Sequence, residues 1–172
     1  TVPVGLVTLA GSSGLAVGKA SPSMRERLTA GHPEAPLLTY IGRISKEKDL
    51  ERLDNVIRLV RGQAPDTRLA IIGAGPYLDA LKATFDPEMT VFSGYLSGEE
   101  LAQAFASGDV FLFPSATETL GLVALESFAS GVPVIGTNAG GIPFVIEEGV
   151  TGHLIDPDAP DEAWAGAALG LI

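Results

Sequence analysis

Short apolar runs alternate with helical stretches from residue 36 onward, and this alternation constrains the fold more than any other feature of the chain. The runs 69–72 and 110–113 are continuously apolar, which is typical of parallel strands covered on both faces. Between residues 49 and 62, apolar side chains instead recur at helical spacing. Strand–helix repeats with short links predict an α/β fold, namely a doubly wound parallel sheet of about six strands.

The pattern divides the chain into a lead-in, residues 1–35, and a sheet domain, residues 36–172. Residues 1–18 are uncharged and rich in Gly, Ser and Thr, and residues 21–28 predict one short helix. In the domain, the predicted strands are 37–42, 68–72, 90–93, 109–113, 132–136 and 152–155. The predicted helices are 49–62, 76–85, 98–106, 120–130, 141–147 and 160–171.

Charge is distributed unevenly along the chain. The formal net charge is −10, and all 11 Lys and Arg lie at or before Lys82. An acidic surface repels phosphodiester backbones, so nucleic-acid binding is not expected, and a phosphorylated ligand must find cations in the first half. The absence of cysteine excludes disulfides and thiolate chemistry. No run predicts a membrane span. No His, Asp or Glu cluster has ligand spacing, so we expect neither a metal nor a cofactor.

Cationic residues follow the first predicted strand. Gly42 and Arg43 end the strand, and Lys48 lies in the loop that enters the next helix. Glycine lets a ligand approach the backbone, Arg forks onto phosphate oxygens, and Lys supplies a point charge. Cations near a helix start oppose its dipole, which favours an anion between them. The alternative is that these are solvated surface charges, paired with neighbouring acids.

Two glutamates eight positions apart, Glu118 and Glu126, flank the start of the helix after the fourth apolar strand. A helix start offers unpaired N–H groups and a positive dipole end to an anion. An acid on this apolar helix is costly to bury unless paired, and a ribose diol would satisfy Glu126. The alternatives are an exposed Glu126 and a Glu118 that only partners the dipole. The backbone donors expected at the helix start belong to Thr119, Leu120, Gly121 and Leu122.

Three further turns follow strands. Gly73-Ala-Gly-Pro76 is a partial dinucleotide fingerprint, which we interpret mainly as a tight turn with Pro76 at the first helical position. At Tyr95 and Leu96 the chain either approaches a planar base, with Leu96 covering the ring, or forms a plain loop. The glycine-rich turn 138–143 is assigned no role.

Together, these motifs resemble the donor-binding, carboxyl-terminal half of family-four retaining glycosyltransferases, whose GT-B fold has two Rossmann-like domains. The resemblance runs from Tyr40 to Asp156. Residues 95–108 and Thr119-Leu-Gly121, where many members have Gly-Phe-Gly, are similar to the plant and algal branch that makes sulfoquinovosyldiacylglycerol. The resemblance implies transfer of a hexose from a UDP-sugar with retention, and for that branch transfer of sulfoquinovose to diacylglycerol.

The resemblance also implies roles for individual residues. Arg43 and Lys48 would bind the donor diphosphate, Glu118 and the amides after it the donor sugar, and Glu126 the ribose. The lipid acceptor would be bound by an amino-terminal domain outside this chain, so the chain alone would transfer nothing. A long carboxyl-terminal helix is also expected outside it.

The branch likeness implies peripheral contact with a chloroplast membrane, and without that likeness a cytoplasmic location is expected. Three alternatives stay open: another UDP- or GDP-sugar hexosyltransferase of the family, a nicotinamide dehydrogenase, and a non-catalytic nucleotide-binding fragment.

Overall fold

The structure is a computed structural model that describes residues 20–172, so the predictions for residues 1–19 lie outside the described part. Its strands are β1 (Leu37–Ile41), β2 (Arg68–Ile72), β3 (Thr90–Gly94), β4 (Val110–Phe113), β5 (Val134–Thr137) and β6 (Gly152–Ile155). Its helices are α1 (Pro22–Leu28), α2 (Arg52–Arg61), α3 (Leu78–Lys82), α4 (Gly98–Ser107), α5 (Leu122–Ala129) and α6 (Asp161–Leu169).

The six strands form one parallel sheet in the order β3-β2-β1-β4-β5-β6. The first strand, β1, therefore lies at the centre of the sheet. The next two strands extend the sheet to β3 at one edge, and β4 then pairs with the other side of β1. Leu38 pairs with Val110, and Thr39 with Phe111, at this reversal. Open α/β sheets bind ligands where the strand order reverses, at the carboxyl ends of the strands. The predicted Rossmann-like fold is confirmed.

Helices cover both faces of the sheet and fix the positions of the strand ends. Every residue of β1 and β4 is buried. Helix α2 buries the apolar stripe that its periodicity predicts, and Trp164 of α6 is fully buried. Each such aliphatic or aromatic side chain contributes about 1.5–3 kcal/mol on burial. The loops at the carboxyl edge thus rise from a rigid support.

Three predicted helices differ clearly from the structure, and the one predicted at 76–85 is shortened to α3, Leu78–Lys82. The helix predicted at 49–62 begins only at Arg52, because Asp49 ends a 3₁₀ turn in the left-handed region, with φ of 54°. The helix predicted at 141–147 is a single 3₁₀ turn, Ile142–Phe144. Pro143 has no N–H to donate, and the N–H of Glu147 donates to Thr151 Oγ1 at 2.9 Å instead of extending the helix.

The structure also differs from the predicted domain start at residue 36. The predicted short helix is present as α1, whose first turn is capped by Ser21, and it packs against α4. The Arg25 guanidinium donates to the Asp109 carboxylate at 2.8 Å, and that carboxylate also accepts from the Leu37 N–H at 2.7 Å. Residues from α1 onward therefore pack with the sheet, so the packed part of the described chain begins before the predicted boundary at residue 36.

Candidate active site

The loops after β1 and β4 meet above the reversal in strand order. The Lys48 ammonium donates to the Glu118 carboxylate, although the two residues are 70 positions apart. Only 18% of the Lys48 side chain and 21% of the Glu118 side chain are exposed. The structure thus brings one predicted cation and the first predicted acid into direct contact. Both lie at the edge of the sheet where ligands bind.

Arg43 lies in the same loop as Lys48. Its carbonyl accepts a hydrogen bond from the Tyr40 hydroxyl at 2.9 Å, while its side chain is exposed. Burial, and after it the nearby charges of Glu118 and Glu47, raise the pKa of Tyr40. The Tyr40 hydroxyl thus ties the backbone that carries Arg43 to strand β1.

The alternative of local surface ion pairs is not what the structure shows in residues 20–172. Glu47 accepts from the Ser45 hydroxyl at 2.7 Å, and this bond, before other causes, lowers the pKa of Glu47. Asp49 lies 3.5 Å from the guanidinium of Arg52. Among residues 20–172, neither acid forms an ion pair with Arg43 or Lys48, and the partner of Lys48 is instead the distant Glu118.

The start of α5 has the geometry of an anion-binding helix terminus. Gly121 precedes it in the left-handed region, with φ of 59° and ψ of 32°. The Ala124 N–H donates to the Gly121 carbonyl at 2.9 Å, whereas the N–H groups of Leu122 and Val123 have no backbone acceptor within the described chain. Thr119 and Leu120 precede this helix start, and both are exposed.

Glu126 lies four residues after Leu122, and residues at this spacing share one side of a helix. Its carboxylate is half-buried and forms no hydrogen bond or ion pair with any residue from 20 to 172. Burial raises the pKa of this carboxyl group. Burying this carboxylate without a partner costs free energy, as predicted for an acid on an apolar helix. A hydrogen-bond donor from a ligand would offset that cost.

The turn at 138–143, which the sequence analysis left without a role, supports the acidic loop. The Gly141 N–H donates to the Glu118 carbonyl at 2.6 Å. A Cβ atom on Gly141 would overlap the Thr119 carbonyl, and one on Gly140 would overlap the Glu118 carbonyl. In the sequence, only the two consecutive glycines after β5 pointed to this contact. The contact forms because β5 lies beside β4, so the loops after these two strands meet.

The Gly73-Ala-Gly75 turn supports the cationic loop in the same way. A Cβ atom on Gly73 would overlap the Gly42 carbonyl, and one on Gly75 would overlap the Ile44 carbonyl. The Ile44 N–H also donates to the Ala74 carbonyl at 3.0 Å. Pro76 lies two residues before the first residue of α3, so its predicted place at the first helical position is wrong.

Tyr95 and Leu96 follow β3, the outermost strand on its side of the sheet. The Lys48–Glu118 contact instead joins the loops after the central strands β1 and β4. Tyr95 is 74% exposed, whereas Leu96 is 5% exposed and packs in the core. The Leu96 side chain therefore does not cover a ligand ring as predicted, and only its backbone is free to contact one.

Within residues 20–172, no group of three or more His, Asp or Glu side chains is arranged to bind a metal ion. In the same residues, no helix combines the length and apolar character needed to cross a bilayer.

Comparison with known proteins gives close sequence relatives. The sulfoquinovosyl transferase SQD2 of Arabidopsis thaliana is 50% identical over 140 residues, which make up 80% of this chain and 27% of that protein. A GDP-mannose-dependent alpha-(1-6)-phosphatidylinositol monomannoside mannosyltransferase of Mycolicibacterium smegmatis is 36% identical over 144 residues, or 77% of this chain and 37% of that protein. The chain thus spans between 27% and 37% of the length of these two relatives.

Solved structures share the fold. Anabaena Alr3699/HepE, in complex with UDP and glucose, superposes with a TM-score of 0.76 at 23% identity, over 91% of this chain and 44% of that one. Sucrose-phosphate synthase from Thermosynechococcus elongatus gives a TM-score of 0.72 at 27% identity, over 90% of this chain and 40% of that one. Residues 35–172 match the family model described as glycosyl transferases group 1. The sheet has the Rossmann-like architecture of a GT-B fold, and the chain belongs to the glycosyl transferases group 1 family.

Proposed function

We propose that this chain is the part of a retaining glycosyltransferase that binds a nucleotide-sugar donor. The observation that carries the proposal is the contact between Lys48 and Glu118. It requires the loops after β1 and β4 to face each other across the crevice where such sheets bind ligands. A cation and an acid side by side suit a ligand with both phosphates and hydroxyls. The sugar diphosphate of a donor has that chemistry.

In this proposal the two loops divide the donor between them. Arg43 and Lys48 bind the diphosphate oxygens, and the Glu118 carboxylate accepts from hexose hydroxyls. The N–H groups at the start of α5 lie beside Glu118 and face the leaving group. Glu126, half-buried and without a partner in residues 20–172, accepts hydrogen bonds from the ribose diol.

Catalysis would then be mainly electrostatic. The bond between the anomeric carbon and the diphosphate oxygen breaks, and negative charge develops on the departing diphosphate. Arg43, Lys48 and the helix-start N–H groups are fixed around that charge, where they stabilise it more than water does. The acceptor hydroxyl attacks the same face and gives its proton to a departing phosphate oxygen. This route retains the anomeric configuration without an enzyme nucleophile.

For the sugar and the acceptor, we propose sulfoquinovose from UDP-sulfoquinovose and diacylglycerol. The support is the 50% identity to the Arabidopsis sulfoquinovosyl transferase across 80% of this chain. The acceptor would bind a second domain, at the periphery of a chloroplast membrane. A second candidate is a GDP-mannose-dependent mannosyltransferase, which the 36% identity to the mycobacterial enzyme favours.

Calorimetry with UDP, GDP, UDP-glucose and UDP-sulfoquinovose tests the proposal. We expect weak binding of UDP that Arg43→Ala and Glu126→Ala each reduce. Arg58→Ala is the matched control, because Arg58 forms an exposed ion pair with Asp54 on α2 at 3.0 Å, away from the crevice. Unchanged binding in both site variants contradicts the proposal, and preference for GDP moves it to the second candidate. Measurable sugar transfer by the chain alone would contradict the expected need for a second domain.

A further inference from the structure

Tyr40 connects the hydrophobic core to the cationic loop. Its ring is 1% exposed and stacks against Phe111, with ring centroids 6.4 Å apart. Its hydroxyl extends to the carboxyl edge of the sheet and donates to the Arg43 carbonyl at 2.9 Å. A buried hydroxyl needs such a partner, because leaving it unpaired costs about 1–3 kcal/mol. The same bond links the Arg43 backbone to the hydrophobic core.

The backbone around Arg43 is fixed on both sides. The Gly42 N–H donates to the Ile72 carbonyl at 3.0 Å, and the Ile44 N–H donates to the Ala74 carbonyl at 3.0 Å. In the described chain, the Tyr40 hydroxyl is the donor that reaches the Arg43 carbonyl between them. It therefore fixes the orientation of the peptide group from which the Arg43 side chain departs.

Gly42 leaves room for this hydroxyl. A Cβ atom at position 42 would lie 2.8 Å from the Tyr40 hydroxyl oxygen, closer than side-chain carbons approach. Burial and two nearby carboxylates raise the pKa of Tyr40, so the hydroxyl keeps its proton and remains a donor at neutral pH. The tyrosine and the glycine thus act together on one carbonyl group.

We infer that Tyr40 is a positioning residue: its hydroxyl binds the Arg43 carbonyl and thereby orients Arg43 toward the diphosphate of the donor. The inference rests on the proposed function, since it assumes that Arg43 contacts phosphate. It differs from a purely structural role in one respect. Loss of the hydroxyl should weaken recognition of the diphosphate and leave recognition of the nucleoside unchanged.

Tyr40→Phe tests this inference by removing one oxygen and leaving the ring in the core. We expect the dissociation constant of UDP, measured by calorimetry, to rise about three- to tenfold, which is the range for loss of one hydrogen bond. The dissociation constant of uridine should not change. Tyr77→Phe is the matched control, because the Tyr77 hydroxyl donates to Glu51 and not to the cationic loop. It should change neither constant.

A double-mutant cycle separates positioning from general destabilisation. In an Arg43→Gln chain, Tyr40→Phe should cause no further loss of UDP affinity, because the group that it positions is gone. Equal losses for UDP and uridine, or additive losses in the cycle, would overturn the inference. If Arg43→Gln itself leaves UDP binding unchanged, the proposed function fails instead.

A second variant covers the case in which Tyr40→Phe does not fold. Gly42→Ala places a methyl group against the tyrosine hydroxyl and should also weaken UDP binding more than uridine binding. An equal loss for both ligands would again contradict the positioning role.

Discussion

Two of the partly buried ion pairs that join distant parts of the described chain, Arg52–Asp161 and Lys48–Glu118, differ in the number of partners that each cation has. The Arg52 guanidinium, 14% exposed, contacts Asp161 at 3.0 Å, the Ala159 carbonyl at 3.2 Å and the Trp164 ring at 5.3 Å. The Lys48 ammonium, 18% exposed, contacts only Glu118 among residues 20–172. The two cations are therefore buried to a similar extent but have different numbers of partners.

The difference indicates what each pair does. Arg52 has several partners of different chemistry, and together they join α2 to α6 over a buried tryptophan. Replacing any one of them leaves the others, so this pair is part of the scaffold. Lys48 and Glu118 each keep protons or lone pairs that have no partner among residues 20–172 and that a ligand could engage. A pair at a crevice with so few bonds is suited to a ligand that brings its own phosphates and hydroxyls.

The largest expected effect is on ligand binding. Lys48→Met should weaken UDP binding about 10- to 100-fold, because a hydrogen bond to a charged group contributes roughly 1.5–3 kcal/mol. The same change also leaves the Glu118 carboxylate, 21% exposed, without its partner, so we expect a loss of about 1–3 kcal/mol in the free energy of unfolding. Calorimetry and urea unfolding check the two halves. A large loss of stability with unchanged UDP affinity would make the pair structural and end the contrast.

Arg52→Met should lower stability without changing UDP binding. It removes the ion pair and the contact with the Trp164 ring, so we expect a loss of about 2 kcal/mol in the free energy of unfolding. UDP affinity of the folded variant should be unchanged. Arg58→Met, at an exposed pair on the same helix, is the control for loss of a guanidinium. Equal destabilisation in both variants would show that Arg52 has no special role in the scaffold.

Gly141→Ala tests the support beneath the acidic loop. The new methyl group would overlap the Thr119 carbonyl, so the loop that carries Glu118 must move. Overpacking of this kind costs about 1–3 kcal/mol. We expect a lower melting temperature and weaker binding of UDP-sugar. Gly166→Ala is the control, because nothing lies within 4 Å of its added Cβ atom. A Gly141→Ala chain as stable as the parent would contradict the close packing of the two loops.

The smallest effect concerns Glu126, whose half-buried carboxylate has no hydrogen-bond or ion-pair partner among residues 20–172. Because its pKa is raised in the folded state, its contribution to stability is fully present below the unfolded pKa of about 4.3 and is lost as pH rises through the folded value. Glu126→Gln should therefore raise the melting temperature at pH 7 and change it little near pH 4. Thermal unfolding at both pH values measures this. The exposed Glu88→Gln is the control, and an equal gain in both variants would contradict burial as the cause.

Local patterns in the sequence predicted most of the elements and some of the site. The apolar runs predicted every strand, and the stripe on α2 is buried as its spacing indicates. Two predictions failed where a single backbone group decided the outcome, namely the left-handed Asp49 and the proline in the turn Ile142–Phe144. The contact between the loops that carry Lys48 and Glu118 was expected from the family resemblance, since no spacing in the chain reports which loops meet.

The support of the site was not predictable from local sequence. Gly73 and Gly75 pack under the cationic loop, and Gly140 and Gly141 pack under the acidic loop. Each glycine was visible as a turn residue, but its partner lies in the loop after a different strand. The Arg25–Asp109 bond that joins α1 to the domain was missed for the same reason, because 84 positions separate the two side chains.

By itself, the sequence determined that the chain alternates strands and helices, and that cations follow the first strand and acids the fourth. These are short-range properties, because helical and strand periodicities extend over only a few residues. The tertiary structure alone decided that β4 lies beside β1, which puts Lys48 against Glu118. It also decided which glycine faces which carbonyl. Contacts between residues tens of positions apart depend on how whole layers pack, and no local pattern encodes that packing.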